Sequence, residues 1–134
     1  MQDFRNLKIW QKSHELTRAV YQASRGFPSA EAYGLTSQIR RAATSISANI
    51  AKGCGRGSDA DFGRFVQMAM GSASEVQYLL LLARDLSYLG NGNYSTIEAM
   101  TVEVKKMLAA FLKRIDSDRK AAARRTGTKR LADS

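Results

Sequence analysis

The sequence has very few residues of three kinds: proline, cysteine and histidine. Pro28 is the only proline among 134 residues, so most segments lack the residue that most strongly interrupts a helix. A single cysteine excludes an internal disulfide framework, and a single histidine beside it leaves too few soft ligands for a structural zinc site. We therefore expect neither a disulfide-stabilised fold nor a resident metal ion.

Long apolar segments are absent as well. The unbroken apolar run Tyr78 to Ala83 is as long as any in the chain, and it is far shorter than the ~20 residues of a membrane helix. The first residues, Met1 to Asn6, show no apolar stretch of the kind found in signal peptides. Both absences predict a cytoplasmic protein without a membrane partner.

Acidic residues are scarce relative to basic ones. The chain has 21 lysines and arginines against 12 aspartates and glutamates, which gives a formal net charge of +9. With 44% hydrophobic and 25% charged residues, it has the composition of a soluble globular domain rather than a disordered chain. An excess of positive charge of this size indicates anionic partners such as RNA or DNA.

Apolar residues recur at three- and four-residue spacing through most of the chain, which is the period of amphipathic α-helices, and no segment shows the alternation of strands. Turns and caps divide this pattern into four helices: about Leu7 to Ser24, from Ser29 to Gly53, from Ser58 to Gly90, and from a capping box at Ser95 to about Asp116. They predict an all-α, antiparallel up-down-up-down four-helix bundle over residues 1–118. Residues 119–134 are predicted to form a basic, flexible tail, which alanine propensity could make helical as far as Gly127.

The predicted third helix contains four consecutive leucines, 79 to 82. Four consecutive helical residues sweep most of a turn, so these side chains cannot all face one core. The candidate oligomer interface therefore comprises the leucines on the second side of this helix: Leu79, Leu81, Leu82, Leu86 and Leu89. The alternative is that the third helix is simply the most buried of the four.

A run in the second helix carries a family resemblance. Residues 35–43 (LTSQIRRAA), then Ser45-Ile46, Asn49 to Ala51 and Gly53, resemble the second helix of the 23S rRNA intervening-sequence proteins, and further motifs in the same order extend the resemblance over about 4–115. It implies a bacterial cytosolic four-helix bundle that assembles as a ring-like homopentamer, with no established enzymatic activity and a suspected nucleic-acid role. Lys52 occupies a position that is commonly Glu in the family, so an inference that needs an acid there does not carry over.

Basic residues are segregated along the chain. Residues 32–58 contain no acid, and a second basic group falls in the last turns of the predicted fourth helix. The candidate nucleic-acid-binding residues are the cations of these two segments: Arg40, Arg41, Lys52, Arg56, Lys105, Lys106, Lys113 and Arg114. If they line one surface, they could hold phosphates there; the alternative is a solvated surface that serves solubility alone.

Arg41, Ser45 and Asn49 are spaced by four residues and so lie along one side of the second helix. Glu75 on the third helix could pair with an arginine on this side. We interpret these four residues as a structural polar network rather than a ligand site, because satisfied polar networks specify packing without chemistry.

No pair of residues has the spacing of a catalytic site. Cys54 lies in a basic loop, a setting that can lower a thiol pKa, but the only imidazole, His14, belongs to a different helix. The glycine-rich loop at 53–57 lacks the Lys-Ser/Thr ending of a phosphate-binding P-loop. We therefore predict a non-enzymatic oligomer without a cofactor that binds RNA or DNA through basic surfaces. The alternative is a structural or adaptor oligomer that binds a protein partner.

Overall fold

The computed structural model describes residues 3–133, with side chains through residue 127. The described residues contain no β-strand. They form four α-helices, preceded or joined by two short 3₁₀ turns, at Phe4–Asn6 and Ser29–Glu31. The helices are α1 (Lys8–Ser24), α2 (Leu35–Cys54), α3 (Asp59–Asp85) and α4 (Asn91–Asp133). No helix in this part of the chain combines the length and the apolar character needed to cross a membrane.

Successive helices run antiparallel and pack side by side. Each helix packs against the next one along the chain and α4 also packs against α1, whereas the diagonal pairs, α1 with α3 and α2 with α4, have no Cα atoms within 8 Å of each other in the described residues. The predicted all-α four-helix bundle is therefore confirmed. The most extensive contact is between α2 and α3.

All four helices contribute apolar side chains to one core. The largest fully buried side chains are Leu16 and Val20 on α1, Ile39, Ile46 and Ile50 on α2, Val66, Val76, Leu79 and Leu80 on α3, and Val104 and Leu108 on α4. Within each helix these residues are separated mainly by one to three helical turns, because that spacing returns a side chain to the same face. This shared core explains why apolar residues recur at helical spacing in each of the four segments of the sequence.

Two helices begin where the sequence did not place them. The Ser29–Glu31 turn is separate from α2, and the Glu31 carboxylate accepts a hydrogen bond from the backbone N–H of Leu35 at 2.8 Å, which caps α2. The predicted capping box at Ser95 was wrong, because α4 already begins at Asn91. The cap predicted for α3 is confirmed: Ser58 Oγ accepts from the backbone N–H of Asp61 at 3.2 Å.

Helix α3 ends earlier than the glycines at 90 and 92 suggest. Ser87, with φ of 65°, adopts the left-handed conformation, and the backbone N–H of Tyr88 donates to the carbonyl of Ala83 at 2.9 Å. This is a Schellman cap, in which a residue just past the helix turns the chain back towards the core. Leu89 is thereby buried against the bundle, with 5% of its surface exposed.

The leucines predicted to form an oligomer interface divide into two groups. Leu79 and Leu89 are buried in the core of the single chain, so their assignment to an interface was wrong. The reason is that α3 packs between α2 and α4 and is covered along two sides. Leu81 and Leu82 are half-buried, and Leu86 is 47% exposed, so these three remain candidates.

Helix α4 continues through the segment predicted as a flexible tail. It runs to Asp133 without ending at Gly127, whereas the sequence placed a helix end at that glycine. Ile115 is the last buried residue of α4 among the described side chains. The flexibility of 119–134 stays a prediction, and Met1, Gln2 and Ser134 lie outside the described residues.

Candidate nucleic-acid interface

Arg40 connects two helices of the bundle and is partly buried between them. Its Nε donates to Ser24 Oγ at 2.8 Å, and its Nη2 donates to the carbonyl oxygen of Tyr21 at 3.3 Å. The guanidinium carbon also lies 4.8 Å from the centre of the Tyr21 ring. Since these contacts engage the guanidinium with α1, they indicate a structural role for Arg40; its role as a phosphate ligand stays a prediction.

The polar side of α2 contains the predicted network only in part. Asn49 Nδ2 donates to Ser45 Oγ at 3.0 Å and to the Ser45 carbonyl at 2.8 Å, and Ser72 Oγ donates to the same Ser45 hydroxyl at 2.9 Å. Ser72, which the sequence analysis missed, therefore links the network to α3. Ser72 lies three residues before Glu75 and so on the same side of α3, and this spacing is the signal that could have identified it.

Glu75 and Arg41 do not join that network. The Glu75 carboxylate accepts a hydrogen bond from Gln38 Nε2 at 3.4 Å, and within the described residues no ion pair links it to Arg41. Arg41 is exposed and, with Tyr33 and Glu75, lines an open cleft between α2 and α3. Arg41 therefore lies close to an acidic side chain, at the end of the bundle where α2 begins.

On α4, Lys105 is engaged within the bundle as well. Its Nζ donates to Gln77 Oε1 at 2.9 Å, and Gln77 in turn donates to Glu98 Oε1 at 3.1 Å. Lys105 is half-buried in this α3–α4 contact, so it is positioned to stabilise the bundle rather than to hold phosphate. Its neighbour Lys106 points into solvent.

The four remaining candidates lie at the opposite end of the bundle from Arg41. We call the group Lys52, Arg56, Lys113 and Arg114 the basic end. Lys52 belongs to the last turn of α2, Arg56 to the loop that leads into α3, and the other two to α4, which runs alongside the start of α3. All four side chains are exposed.

Close packing at Gly53 brings α2 against α3 at the basic end. A Cβ atom at this position would lie 2.9 Å from the Cβ of Phe65 and 3.0 Å from Cδ1 of Phe62, so no larger residue fits without movement. Phe62 then contacts Phe111 of α4, with ring centres 5.0 Å apart. These aromatic side chains connect three helices and give the basic end a rigid base.

Arginine side chains lie over these rings. The guanidinium carbon of Arg56 is 5.2 Å from the centre of the Phe65 ring, and that of Arg114 is 4.7 Å from the centre of the Phe111 ring. Arg64, which the sequence analysis missed, lies 5.4 Å from the Phe65 ring. Cation–π contacts of this kind hold a guanidinium in place while leaving its N–H groups available to an anion.

Two carboxylates near this end are paired with other cations, whereas Asp59 lines one depression with Arg56. Asp61 pairs with Arg64 at 3.4 Å, and Asp116 pairs with Lys120 at 3.1 Å. Asp3 binds Arg5 at 2.7 Å, and these hydrogen bonds hold the pKa of the Asp3 carboxyl below its usual value. In the described part of the chain, none of the four basic-end residues forms an ion pair with a carboxylate.

Cys54 lies next to the basic end but is enclosed. Only 6% of its surface is exposed, and burial raises the pKa of its thiol above the usual value of 9.0. The loop therefore does not produce the lowered thiol pKa that its basic composition could have given. Among the described residues, no three His, Cys, Asp or Glu side chains come together in a group that could hold a metal ion.

Residues 5–110 match the family model of the 23S rRNA-intervening sequence protein. The chain belongs to this family. The family resemblance seen in the second helix is thereby confirmed. The match runs from the 3₁₀ turn at Phe4–Asn6 to residue 110 in α4, so it covers most of the bundle. Residues 119–133 lie beyond the family match.

A solved structure supports the same fold. The family member resembles a protein of unknown function from the S23 ribosomal protein family of Bacteroides thetaiotaomicron, with a TM-score of 0.71 and 28% sequence identity. The similarity covers 78% of this chain and 98% of that one. No curated protein matches the chain.

Proposed function

We propose that this 23S rRNA-intervening sequence family member is a non-enzymatic, self-associating protein that binds nucleic acid through its basic end. The observation that carries the proposal is the group formed by Lys52, Arg56, Lys113 and Arg114, whose side chains are exposed and have no carboxylate partner in the described residues. The family's name associates it with ribosomal RNA. A group of lysines and arginines binds backbone phosphates by charge alone and needs no contact with the bases.

Preorganisation makes the basic end a better phosphate site than scattered surface cations. Binding an anion normally requires a long basic side chain to lose rotamer freedom. At the basic end, the rings of Phe65 and Phe111 already restrict Arg56 and Arg114. Less entropy is therefore lost when these arginines meet a phosphate, and their planar guanidinium groups can each donate two hydrogen bonds to it.

Self-association would multiply this site. On α3, the exposed or half-buried residues Met68, Tyr78, Leu82 and Leu86 recur along one helical face, and we call them the apolar stripe. Such a stripe on a soluble helix favours burial against another copy of the chain. In the pentamer that the family resemblance implies, the basic end would occur in every subunit, and several weak contacts would combine into stronger binding.

The residues that could support catalysis do not meet. Cys54 is buried with a raised thiol pKa, so it is held in the less reactive thiol form. His14 is exposed on α1 and stacks on Trp10, with ring centres 4.9 Å apart. These observations support a binding role rather than an enzymatic one.

The proposal is tested by removing charge from the basic end. In the double variant Arg56→Gln/Arg114→Gln, we expect weaker binding to a labelled nucleic acid and a slope of log K against log salt that is about 1.4 to 1.8 shallower, because two phosphate contacts are lost. Fluorescence anisotropy between ~50 and ~200 mM salt measures both quantities.

A matched control separates this site from general positive charge. Arg18→Gln/Arg25→Gln removes the same charge from exposed positions on α1 and the turn after it, and it should leave the salt slope unchanged. Equal losses in the two double variants would show that the basic end has no special role. If the wild-type protein binds no RNA or DNA at ~50 mM salt, the proposed function is wrong.

A further inference from the structure

Helix α4 continues beyond the bundle as a separate structural feature. Leu112, Ile115 and Arg119 still lie beside α3, where they line one depression with Ala60 and Gly63. After Arg119, every described side chain of α4 is exposed except Ala121, which is half-buried. We call residues 119–133 the α4 extension; at 1.5 Å per residue it is about 22 Å long.

The α4 extension does not contribute to the core of the family fold. It lies outside the family match, which ends at residue 110, and none of its described side chains is buried. An exposed helix of this length has little intrinsic stability in water, because most helical stability in proteins comes from tertiary packing. Its helical form is supported by alanine propensity and by continuity with α4 rather than by packing, which leaves its exposed surface open to a partner.

The charge of the α4 extension identifies the chemistry of that partner. Residues 119–130 contain six lysines and arginines and no aspartate or glutamate, and the last three residues of the extension add one leucine, one alanine and one aspartate. Residues 119–130 themselves contain only small or polar residues besides these cations, so they have no apolar face with which to enter a lipid surface or a protein groove. A polyanion is the partner that this composition fits.

The distribution of the cations around the helix narrows the partner further. At about 100° per residue, Arg119, Lys120, Arg124 and Arg125 spread over about 240° of the helix circumference, with Arg119 beside α3 and Lys120 in an exposed pair with Asp116. A helix that lies on a flat anionic surface uses cations on one side only. A helix that enters a groove has phosphates on both flanks, and only this arrangement uses cations spread so widely.

Groove dimensions distinguish DNA from RNA. The major groove of B-form DNA is about 12 Å wide and admits an α-helix, whereas the major groove of A-form RNA is deep and too narrow for side chains to read. The alanines at 121, 122 and 123 have small side chains, so the helix backbone can approach the base edges closely.

We propose that the α4 extension lies in the major groove of B-form duplex DNA, while the basic end of the bundle contacts the adjoining phosphate backbone. This inference rests on the proposed nucleic-acid function and specifies its target as duplex DNA. The extension begins five residues after Arg114 on the same helix, so groove and backbone contacts would fall on one stretch of duplex.

The test compares two duplexes of the same sequence, one of DNA and one of RNA, each about two helical turns or 20 base pairs long. The wild-type protein should bind the DNA duplex about tenfold more tightly than the RNA duplex, since only DNA admits the helix. It should also protect guanine N7 atoms of the DNA, which face the major groove, from methylation by dimethyl sulfate.

The double variant Arg124→Gln/Arg125→Gln should lose both the preference for DNA and the N7 protection while keeping the binding that the basic end provides. Arg18→Gln/Arg25→Gln, with the same change in charge, should keep both. The exchanged residues are exposed, and circular dichroism checks that the bundle still folds.

The outcomes separate this inference from the proposed function. Binding to both duplexes with equal affinity, or binding to DNA with unprotected N7 atoms, would overturn the major-groove inference and leave the basic-end proposal standing. A failure of the wild-type protein to bind any nucleic acid would overturn both.

Discussion

At Gly53, the last turn of α2 approaches α3 more closely than a side chain would allow. The limiting atoms are the Cβ of Phe65 and an edge atom of Phe62. Because the Cβ of Phe65 is fixed to the backbone of α3, it cannot move aside without moving the helix. The absence of a side chain at this single position therefore determines how α2, α3 and the loop that carries Arg56 fit together.

Replacing this glycine should destabilise the bundle. In Gly53→Ala the helical propensity of alanine is favourable, but the clash with Phe65 forces a shift of packed helices, and we expect a net loss of about 1–2 kcal/mol in the free energy of unfolding. Urea denaturation followed by circular dichroism measures this change.

Gly71→Ala is the matched control, because a Cβ at this position in α3 meets no atom within 4 Å. Here only the propensity effect remains, and the variant should gain up to about 1 kcal/mol. A gain of stability in both variants would contradict the role assigned to Gly53.

At the scale of the elements, a few polar contacts join helices whose apolar faces already pack together. Arg40 joins α2 to α1 through Ser24 and Tyr21, and Lys105 joins α4 to α3 through Gln77. Sequence alone does not separate these residues from their exposed neighbours, because a cation next to an apolar stripe has the same pattern whether or not a partner faces it. The neighbouring helix decides its role.

Arg40→Gln should therefore affect stability more than nucleic-acid binding. The variant loses charge-assisted hydrogen bonds to Ser24 and the Tyr21 carbonyl, and we expect the free energy of unfolding to fall by about 1–2 kcal/mol. Its affinity for nucleic acid should stay within about twofold of the wild type after correction for one lost charge. Arg41→Gln, one residue away and exposed, should change the unfolding free energy by less than about 0.5 kcal/mol. If Arg41→Gln lowered the unfolding free energy more than Arg40→Gln, Arg40 would have to be treated as an ordinary surface cation.

At the scale of the whole molecule, the candidate cations lie at different levels along the bundle. Arg41 lies at the end where α2 begins, while the basic end lies where α2 stops and α3 starts. The sequence favours one surface formed by α2 and the end of α4, but these helices occupy diagonal positions, with no Cα atoms within 8 Å of each other in the described part of the chain. They approach the same surface only around the start of α3, which is where the basic end is found.

Self-association is a property of the whole molecule and can be measured directly. We expect multi-angle light scattering to give a mass several times the 14.8 kDa of one chain. Charges introduced into the apolar stripe, in Tyr78→Glu/Leu86→Glu, should reduce the mass to that of a single chain, because a carboxylate buried at an interface loses its hydration.

The control Ala99→Glu/Ala109→Glu adds the same charge to exposed positions of α4 and should leave the assembly intact. A wild-type protein that stays a single chain at all concentrations would exclude self-association, and with it the repetition of the basic end.

The sequence by itself predicted the helical periodicity, the chain turns and the family resemblance, since each depends on residues that are close together along the chain. They predicted four helices, the bundle and the Ser58 cap, and they gave the correct family. The same local signals misplaced the starts of α2 and α4, because Glu31 caps α2 from an irregular turn and α4 begins without the expected capping box.

The roles of individual residues were decided by contacts between helices. Leu79 and Leu82 belong to the same leucine run, yet one is buried in the core and the other lies at its margin, since α3 is covered by neighbours on two sides only. Arg40 and Arg56 are both cations of the same acid-free segment, but one binds α1 and the other lies on a phenylalanine ring at the basic end. Local spacing determines which residues form a helix and which face they share; only the packing of the helices determines what each face meets.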